Sequence, residues 1–270
     1  MRIGFIGAGR MAEAIIRGLV SRRGIPKKDI CISDKDQNRL KQISKKYKIK
    51  ACSNKEIVES SNVVILAIKP QSMGAVLTEI ASVVSKDQLF ISIAAGITVK
   101  SLEKYLEKVP VIRVMPNNPA LIGEGITAVC RGSFAGEKDM KTAEKIFSFV
   151  GDTLRIDEKH MNAVTALSGS GPAFVYEIID ALVNGGVEAG LTKEIATDLA
   201  LKTVTGSVKT LIKTKKTPQE LKEMVTSPGG TTLAGLRVLE EINFKEALKR
   251  AVVKAKERAK EISEEFERSL

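Results

Sequence analysis

The chain of 270 residues contains no tryptophan, one histidine, three tyrosines and three cysteines, and each shortage removes a class of function. Without Trp, and with so little Tyr, there is almost nothing to stack on unpaired bases. The 43 Lys and Arg residues are spread along the whole chain instead of forming one basic stripe. The formal charge of +11 therefore reads as a solvated surface that draws in anionic small molecules, and no nucleic-acid partner is expected. Cys31, Cys52 and Cys130 form neither a CxxC pair nor a Cys/His cluster. An odd, scattered set points to reduced, packed thiols and to no metal site. A nucleophilic Ser or Cys needs a base, and His160 is the only histidine; it is read as structural. No apolar run approaches the roughly 20 residues that span a bilayer, so no membrane association is expected. Met1–Phe5 leads straight into a strand without a signal-peptide layout, which points to a cytoplasmic protein.

What is present starts at once. Ile3–Ile6 is a short apolar strand running into Gly7-Ala8-Gly9-Arg10-Met11-Ala12, a GxGxxA turn. Gly7 permits the tight turn, Gly9 lets a pyrophosphate approach the backbone, and Ala12 keeps the next helix close to the strand. The helix from Met11 to Val20 aims its N-terminal amides at that phosphate. Lys28–Ser33 reads as a second strand with Asp34 near its end, where an acidic residue binds the ribose 2′-hydroxyl of NAD. Lys35 and Arg39 stand nearby and suit the 2′-phosphate of NADP, so the choice stays open. Asn62–Ile68 is continuously apolar, the mark of a strand buried on both faces, and ends in Lys69-Pro70. Leu89–Ile93 ends in Ala94-Ala95-Gly96, and Val111–Met115 ends in Pro116-Asn117-Asn118-Pro119. Three strands ending in small or polar residues on the fingerprint's edge predict a lined crevice. Gly125–Val129 and Thr153–Ile156 add edge strands around a helix over Glu137–Phe149.

Ala166–Pro172 (Ala-Leu-Ser-Gly-Ser-Gly-Pro) is the seam, read either as an interdomain linker or as a close backbone approach beside the reacting centre. Beyond it only helices are expected: Ala173–Ala189, Thr192–Lys213, Thr217–Met224, Thr231–Glu241 and Phe244–Glu267. The first two are apolar on too many sides for one exposed face, which implies a homodimer at least. The fold class is α/β, with a Rossmann-type, mostly parallel sheet over residues 1–160 and an all-helical domain over residues 161–270. Between two helices lies Ser227-Pro228-Gly229-Gly230-Thr231-Thr232. It is either a Pro-Gly turn with a threonine cap or a concave anion site at a helix N-terminus, suited to a carboxylate.

The segments Gly4–Gly9, Ala67–Pro70, Ile93–Gly96, Met115–Asn117, Leu167–Ala173 and Ser227–Thr232 together give the chain its likeness: over nearly its whole length it resembles pyrroline-5-carboxylate reductase. The last two segments carry most of the specificity. The resemblance implies hydride transfer from NADPH or NADH to the C=N bond of 1-pyrroline-5-carboxylate, giving L-proline in the last step of proline biosynthesis. It implies dinucleotide contacts at Ile6, Gly7, Ala8, Gly9, Arg10, Met11, Asn54, Ile68, Lys69, Pro70, Ala94, Ala95, Gly96 and Asn117, beside Asp34. It puts Glu158, Ser227, Gly229, Gly230, Thr231 and Thr232 on the substrate side, with Thr232 next to the ring nitrogen in the catalytic role, and interlocked dimers, often gathered into decamers. Asn118, Asn162 and Asp34 depart from the family pattern, and Asp34 bears on cofactor choice. Two rivals are weighed: a related two-domain imine or hydroxyacid reductase, expected to carry a catalytic lysine in the helical half, and a non-catalytic dinucleotide-binding regulator, expected to lose the Ser227–Thr232 loop.

Overall fold

The structure is a computed structural model that describes residues 1–21 and 24–268; Ser269 and Leu270, the end of the expected helical domain, lie outside the described residues. The first half alternates β1 (Ile3–Ile6), α1 (Arg10–Ser21), β2 (Ile30–Ser33), α2 (Gln37–Tyr47), β3 (Lys50–Ala51), α3 (Asn54–Ser60), β4 (Val63–Leu66) and α4 (Met73–Ile80). It continues with β5 (Leu89–Ser92), α5 (Val99–Leu106), β6 (Val111–Met115), β7 (Gly125–Arg131), α6 (Glu137–Phe147), β8 (Gly151–Arg155) and α7 (Met161–Val164). The eight strands form one sheet in the order β3-β2-β1-β4-β5-β6-β7-β8. β6 and β7 pair antiparallel; every other neighbouring pair is parallel.

The continuous apolar runs are explained by burial on both faces. Ile3, Phe5, Val63, Ile65, Leu89, Ile91, Ile112 and Val114 fill one cluster, while Ile6, Val64, Leu66, Phe90 and Val111 fill the other. Alternation along each strand thus divides one run between two cores. Each such side chain contributes about 1.5–3 kcal/mol.

Three expected strands are shorter than read, Leu89–Ile93 by its last residue. Lys27–Asp29 make a 3₁₀ turn, with the Asp29 amide on the Pro26 carbonyl at 2.9 Å, so β2 begins at Ile30. Of Asn62–Ile68 only Val63–Leu66 pairs as strand, and Ala67–Lys69 become the turn at the sheet's edge. The expected Thr153–Ile156 strand lies at Gly151–Arg155. β3 has no apolar signature at all, since both its residues are exposed.

Helices α8 (Gly171–Glu188), α9 (Lys193–Thr214), α10 (Pro218–Met224), α11 (Thr231–Glu241) and α12 (Phe244–Arg268) complete the chain. Threonines start two of them: Thr192 accepts from the Ile195 amide, and Thr217 forms a reciprocal cap with Glu220. The molecule divides into two compact units, one of Met1–Ser170 with the chain from Val253 onward, the other Gly171–Val252. The division falls within the Ala166–Pro172 seam, and α12 belongs to both units. Within the second unit α8 and α9 share a very small core, Val183, Ala196 and Ala200 with Ile179 against them. Leu182, Leu199, Val208 and Ile212 are exposed.

Glu13 ties α1 to α2, accepting from Arg39 Nη2 at 2.5 Å, Lys46 Nζ at 2.7 Å and Tyr47 Oη at 3.0 Å. Burial pulls its pKa upward, but the bonds from Lys46, Arg39 and Tyr47 outweigh burial and hold the carboxyl at about 2. A lowered folded pKa gives stability that is full above the unfolded value, near 4.3, and is lost as pH falls toward 2. Denaturant titrations should therefore show Glu13→Gln less stable than wild type at neutral pH, with the gap closing between about pH 4.5 and pH 2; a gap constant with pH would detach the effect from this carboxylate.

Candidate functional site

β1, β4, β5 and β6 are parallel neighbours, so Gly7, Ala67–Lys69, Ile93–Gly96 and Pro116–Asn117 follow one another along a single edge. Gly7 has a φ of 108°, and a Cβ there would run into the Ala67 carbonyl. Gly9 is different: a Cβ there would have nothing within 4 Å. Between them the Ala8 peptide is fixed from both sides. Its N–H donates to Asp34 Oδ2 at 2.6 Å, and its carbonyl accepts from Arg39 Nε at 2.8 Å. The other Asp34 oxygen accepts from the Asp36 amide at 2.8 Å. α1 starts directly after Gly9, so its first amides, which have no partner within the helix, lie beside the turn.

A pocket of about 250 Å³ opens here, lined by Ile6, Gly7, Gly9, Asp34, Asn54, Ile68 and Lys69. A second, of about 520 Å³, shares Asp34, Lys35 and Asn54 and extends past the end of β2 to Cys52, Glu56 and Glu79. A pyrophosphate suits the first, because Gly9 leaves the backbone bare and α1 begins there. Arg10 and Met11 sit in the first turn of α1. Pro70, Ala94, Ala95, Gly96 and Asn117 stay outside the lining of both pockets. Gly96, at φ 76°, is covered by Ile262 of α12, whose Cβ lies 3.0 Å from where a glycine-to-alanine Cβ would stand. Asn117 Oδ1 accepts from the Ile126 amide at 3.0 Å and starts β7.

Glu158 is held on the face of the sheet. It accepts from Arg113 Nη1 at 2.8 Å and the Val99 amide at 3.1 Å, and Cys130 Sγ donates to it at 3.0 Å. The Arg113 side chain is 2% exposed, and among the described residues Nε and Nη2 have no hydrogen-bond partner. The Glu158 carboxylate is thus the counter-charge that makes a buried guanidinium tolerable. Burial, and then the bond to Glu158, push the Cys130 thiol to about 12, so it is protonated and inert at neutral pH. His160 is exposed, and among the described residues its ring makes no hydrogen bond.

The Leu167–Ala173 signature opens in a π-helical turn over Thr165–Gly169 before α8, a form frequent at functional sites. Ser168 Oγ is shielded from solvent and has no hydrogen-bond partner among the described residues. In the second unit Gly229 takes φ 68° and the Gly230 amide donates to the Ser227 carbonyl at 3.0 Å. Gly230 is the N-cap of α11 and supplies no side-chain cap. Among the described residues no hydrogen bond engages the hydroxyls of Ser227, Thr231 or Thr232. The threonine cap, one of the two readings of this turn, is absent, and the start of α11 stands uncapped beside three hydroxyls that, among the described residues, make no hydrogen bond, chemistry that suits a carboxylate.

A glycine turn between β1 and α1, an acidic residue after β2, a lysine after β4 and an added helical unit define a Rossmann-type dinucleotide-dependent oxidoreductase. A family model described as pyrroline-5-carboxylate reductase dimerisation matches residues 158–262, and one described as NADP oxidoreductase, coenzyme F420-dependent, matches residues 2–96. Pyrroline-5-carboxylate reductase of Arabidopsis thaliana is 42% identical over 97% of this chain and 96% of its own, and that of Methanosarcina acetivorans 41% over 97% of both. The Plasmodium falciparum pyrroline carboxylate reductase, solved with NADP bound, superposes with a TM-score of 0.89 at 33% identity, covering 97% of this chain and 98% of that one. The chain belongs to the pyrroline-5-carboxylate reductase family.

The two fingerprint glycines should respond differently to one methyl group. Gly7→Ala should lower stability by about 1–3 kcal/mol from backbone strain alone. Gly9→Ala should melt like wild type yet bind dinucleotide far more weakly, because its methyl enters the pocket. Thermal unfolding and equilibrium titration with ADP-ribose check both; a Gly9→Ala protein that binds normally would remove this turn from the site.

Proposed function

We propose that the chain reduces 1-pyrroline-5-carboxylate to L-proline with NADH or NADPH, as the last step of proline biosynthesis. One observation carries the reading: an open glycine-lined pocket after β1 and an uncapped, hydroxyl-rich loop before α11 occur in one chain of this family. Residues 1–160 bind the dinucleotide and residues 161–270 bind substrate and the partner subunit. The enzyme is cytoplasmic. The family match over the helical half and the outward apolar side chains of α8 and α9 support a homodimer, and the family's habit supports a decamer. The open loop speaks against a non-catalytic regulator.

The Ile6–Met11 turn, Asp34, Asn54 and Ile68–Pro70 hold the dinucleotide, and Ala94–Gly96 and Asn117 shape the same edge. When bound, the nicotinamide supplies a hydride to the imine carbon. Ser227, Gly229, Gly230 and Thr231 hold the substrate carboxylate against the positive end of α11. Thr232 orients the ring nitrogen through its hydroxyl, and Glu158 serves the substrate side through the Arg113 and Val99 contacts that fix it. An iminium already carries its proton, so reduction leaves a neutral amine and no strong acid is required. A chain whose only histidine is solvent-exposed and whose one fully buried thiol is locked in its protonated form can do this chemistry. Its contribution is positioning, on the order of 7–11 kcal/mol at best.

Purified protein should oxidise NAD(P)H on addition of 1-pyrroline-5-carboxylate, followed at the nicotinamide absorbance band. Thr232→Ala should lower kcat by about tenfold or more while leaving the melting curve in place. Folded protein that oxidises neither cofactor would end the proposal; an unchanged kcat would take Thr232 out of the active site.

A further inference from the structure

We propose that the dinucleotide site selects a free 2′-hydroxyl on the adenosine ribose over a 2′-phosphate, and so favours NADH over NADPH. The inference rests on the reading of the β1–α1 pocket as a dinucleotide site and adds a preference within it. The cation best suited to clasp a 2′-phosphate is already committed. Arg39 gives Nε to the Ala8 carbonyl, Nη2 to Glu13 and Nη1 to Gln42 Oε1 at 2.9 Å. Of the residues lining the 520 Å³ cavity past β2, Lys35 is the one cation, set among the carboxyl-bearing Asp34, Glu56 and Glu79.

Those carboxylates are held in place by hydrogen bonds. Asp34 is oriented by the Ala8 and Asp36 amides. Glu56 accepts from the Ser53 amide at 2.7 Å and hydroxyl at 2.9 Å, which hold its carboxyl below the usual range. Glu79 accepts from Asn54 Nδ2 at 2.8 Å, and Asn54 is itself oriented by Ser33 Oγ on its Oδ1 at 2.6 Å. A ribose hydroxyl donates to a carboxylate without charge conflict. A phosphate monoester brings about −1.5 to −2 charges into a cavity with three negative groups and one positive.

The test is calorimetric titration of the full chain with ADP-ribose and with 2′-phospho-ADP-ribose, at one fixed ionic strength because exposed charges are screened. ADP-ribose should bind tighter by about tenfold or more. Asp34→Ser should narrow the ratio. So should Glu79→Gln, which keeps an acceptor for Asn54, leaves the Ala8 peptide untouched and carries the test if Asp34→Ser loosens the turn. Equal or tighter binding of 2′-phospho-ADP-ribose by the wild type overturns the inference, as does a ratio unmoved in both variants. Binding of neither probe overturns the dinucleotide reading as well. Probe binding in the predicted order with no turnover of the imine leaves this inference standing and sinks only the proposed reaction.

Discussion

The β1–α1 turn depends on one steric fact: at position 7 the chain must double back with the carbonyl of Ala67 where a side chain would be. Only a residue without a Cβ at φ 108° fits. Everything the first unit offers a ligand follows from that turn. It aligns the Ala8 peptide with Asp34 on one side and Arg39 on the other, it starts α1 beside Gly9, and it opens the pocket that Ile68 and Lys69 close from the neighbouring strand. The sheet order supplies the rest of the edge, because β4, β5 and β6 follow β1 in parallel and end on the same side.

The charged groups divide by task. Arg113, Glu158 and Cys130 form a closed set on the sheet face, with the guanidinium buried and the thiol protonated. Glu13, Arg39, Lys46 and Tyr47 brace α1 against α2. Neither set offers a nucleophile or a poised base, and a hydride transfer to an already protonated imine needs neither. The groups left open are of another kind: backbone amides at the starts of α1 and α11, and the hydroxyls of Ser227, Thr231 and Thr232.

Local signals were legible in the sequence and distant partnerships were not. Ile3–Ile6 with its glycine turn, the apolar runs that became β4, β5 and β6, and the threonine-started helices of the second unit all announce themselves by spacing. β3 did not, because two exposed residues on a sheet margin carry no periodicity. Arg39 read, with Lys35, as suited to a 2′-phosphate because it follows Asp34 closely; its bonds to Ala8 and Glu13 reach back to the β1–α1 segment, read separately. Glu158 read through the family likeness as a substrate residue, while its bond to Arg113 spans 45 positions and leaves no trace in local pattern. The same holds for Gly96, whose open side belongs to Ile262 near the other end of the chain.

The meagre core between α8 and α9 has a thermodynamic consequence. Three buried residues and one neighbour cannot offset the ordering of two helices of 18 and 22 residues at about 1–2 kcal/mol per residue of backbone entropy. In a family whose helical half is a dimerisation module, the missing burial comes from association. The melting point of this unit is then a function of dilution, and mass action decides how much of it is folded.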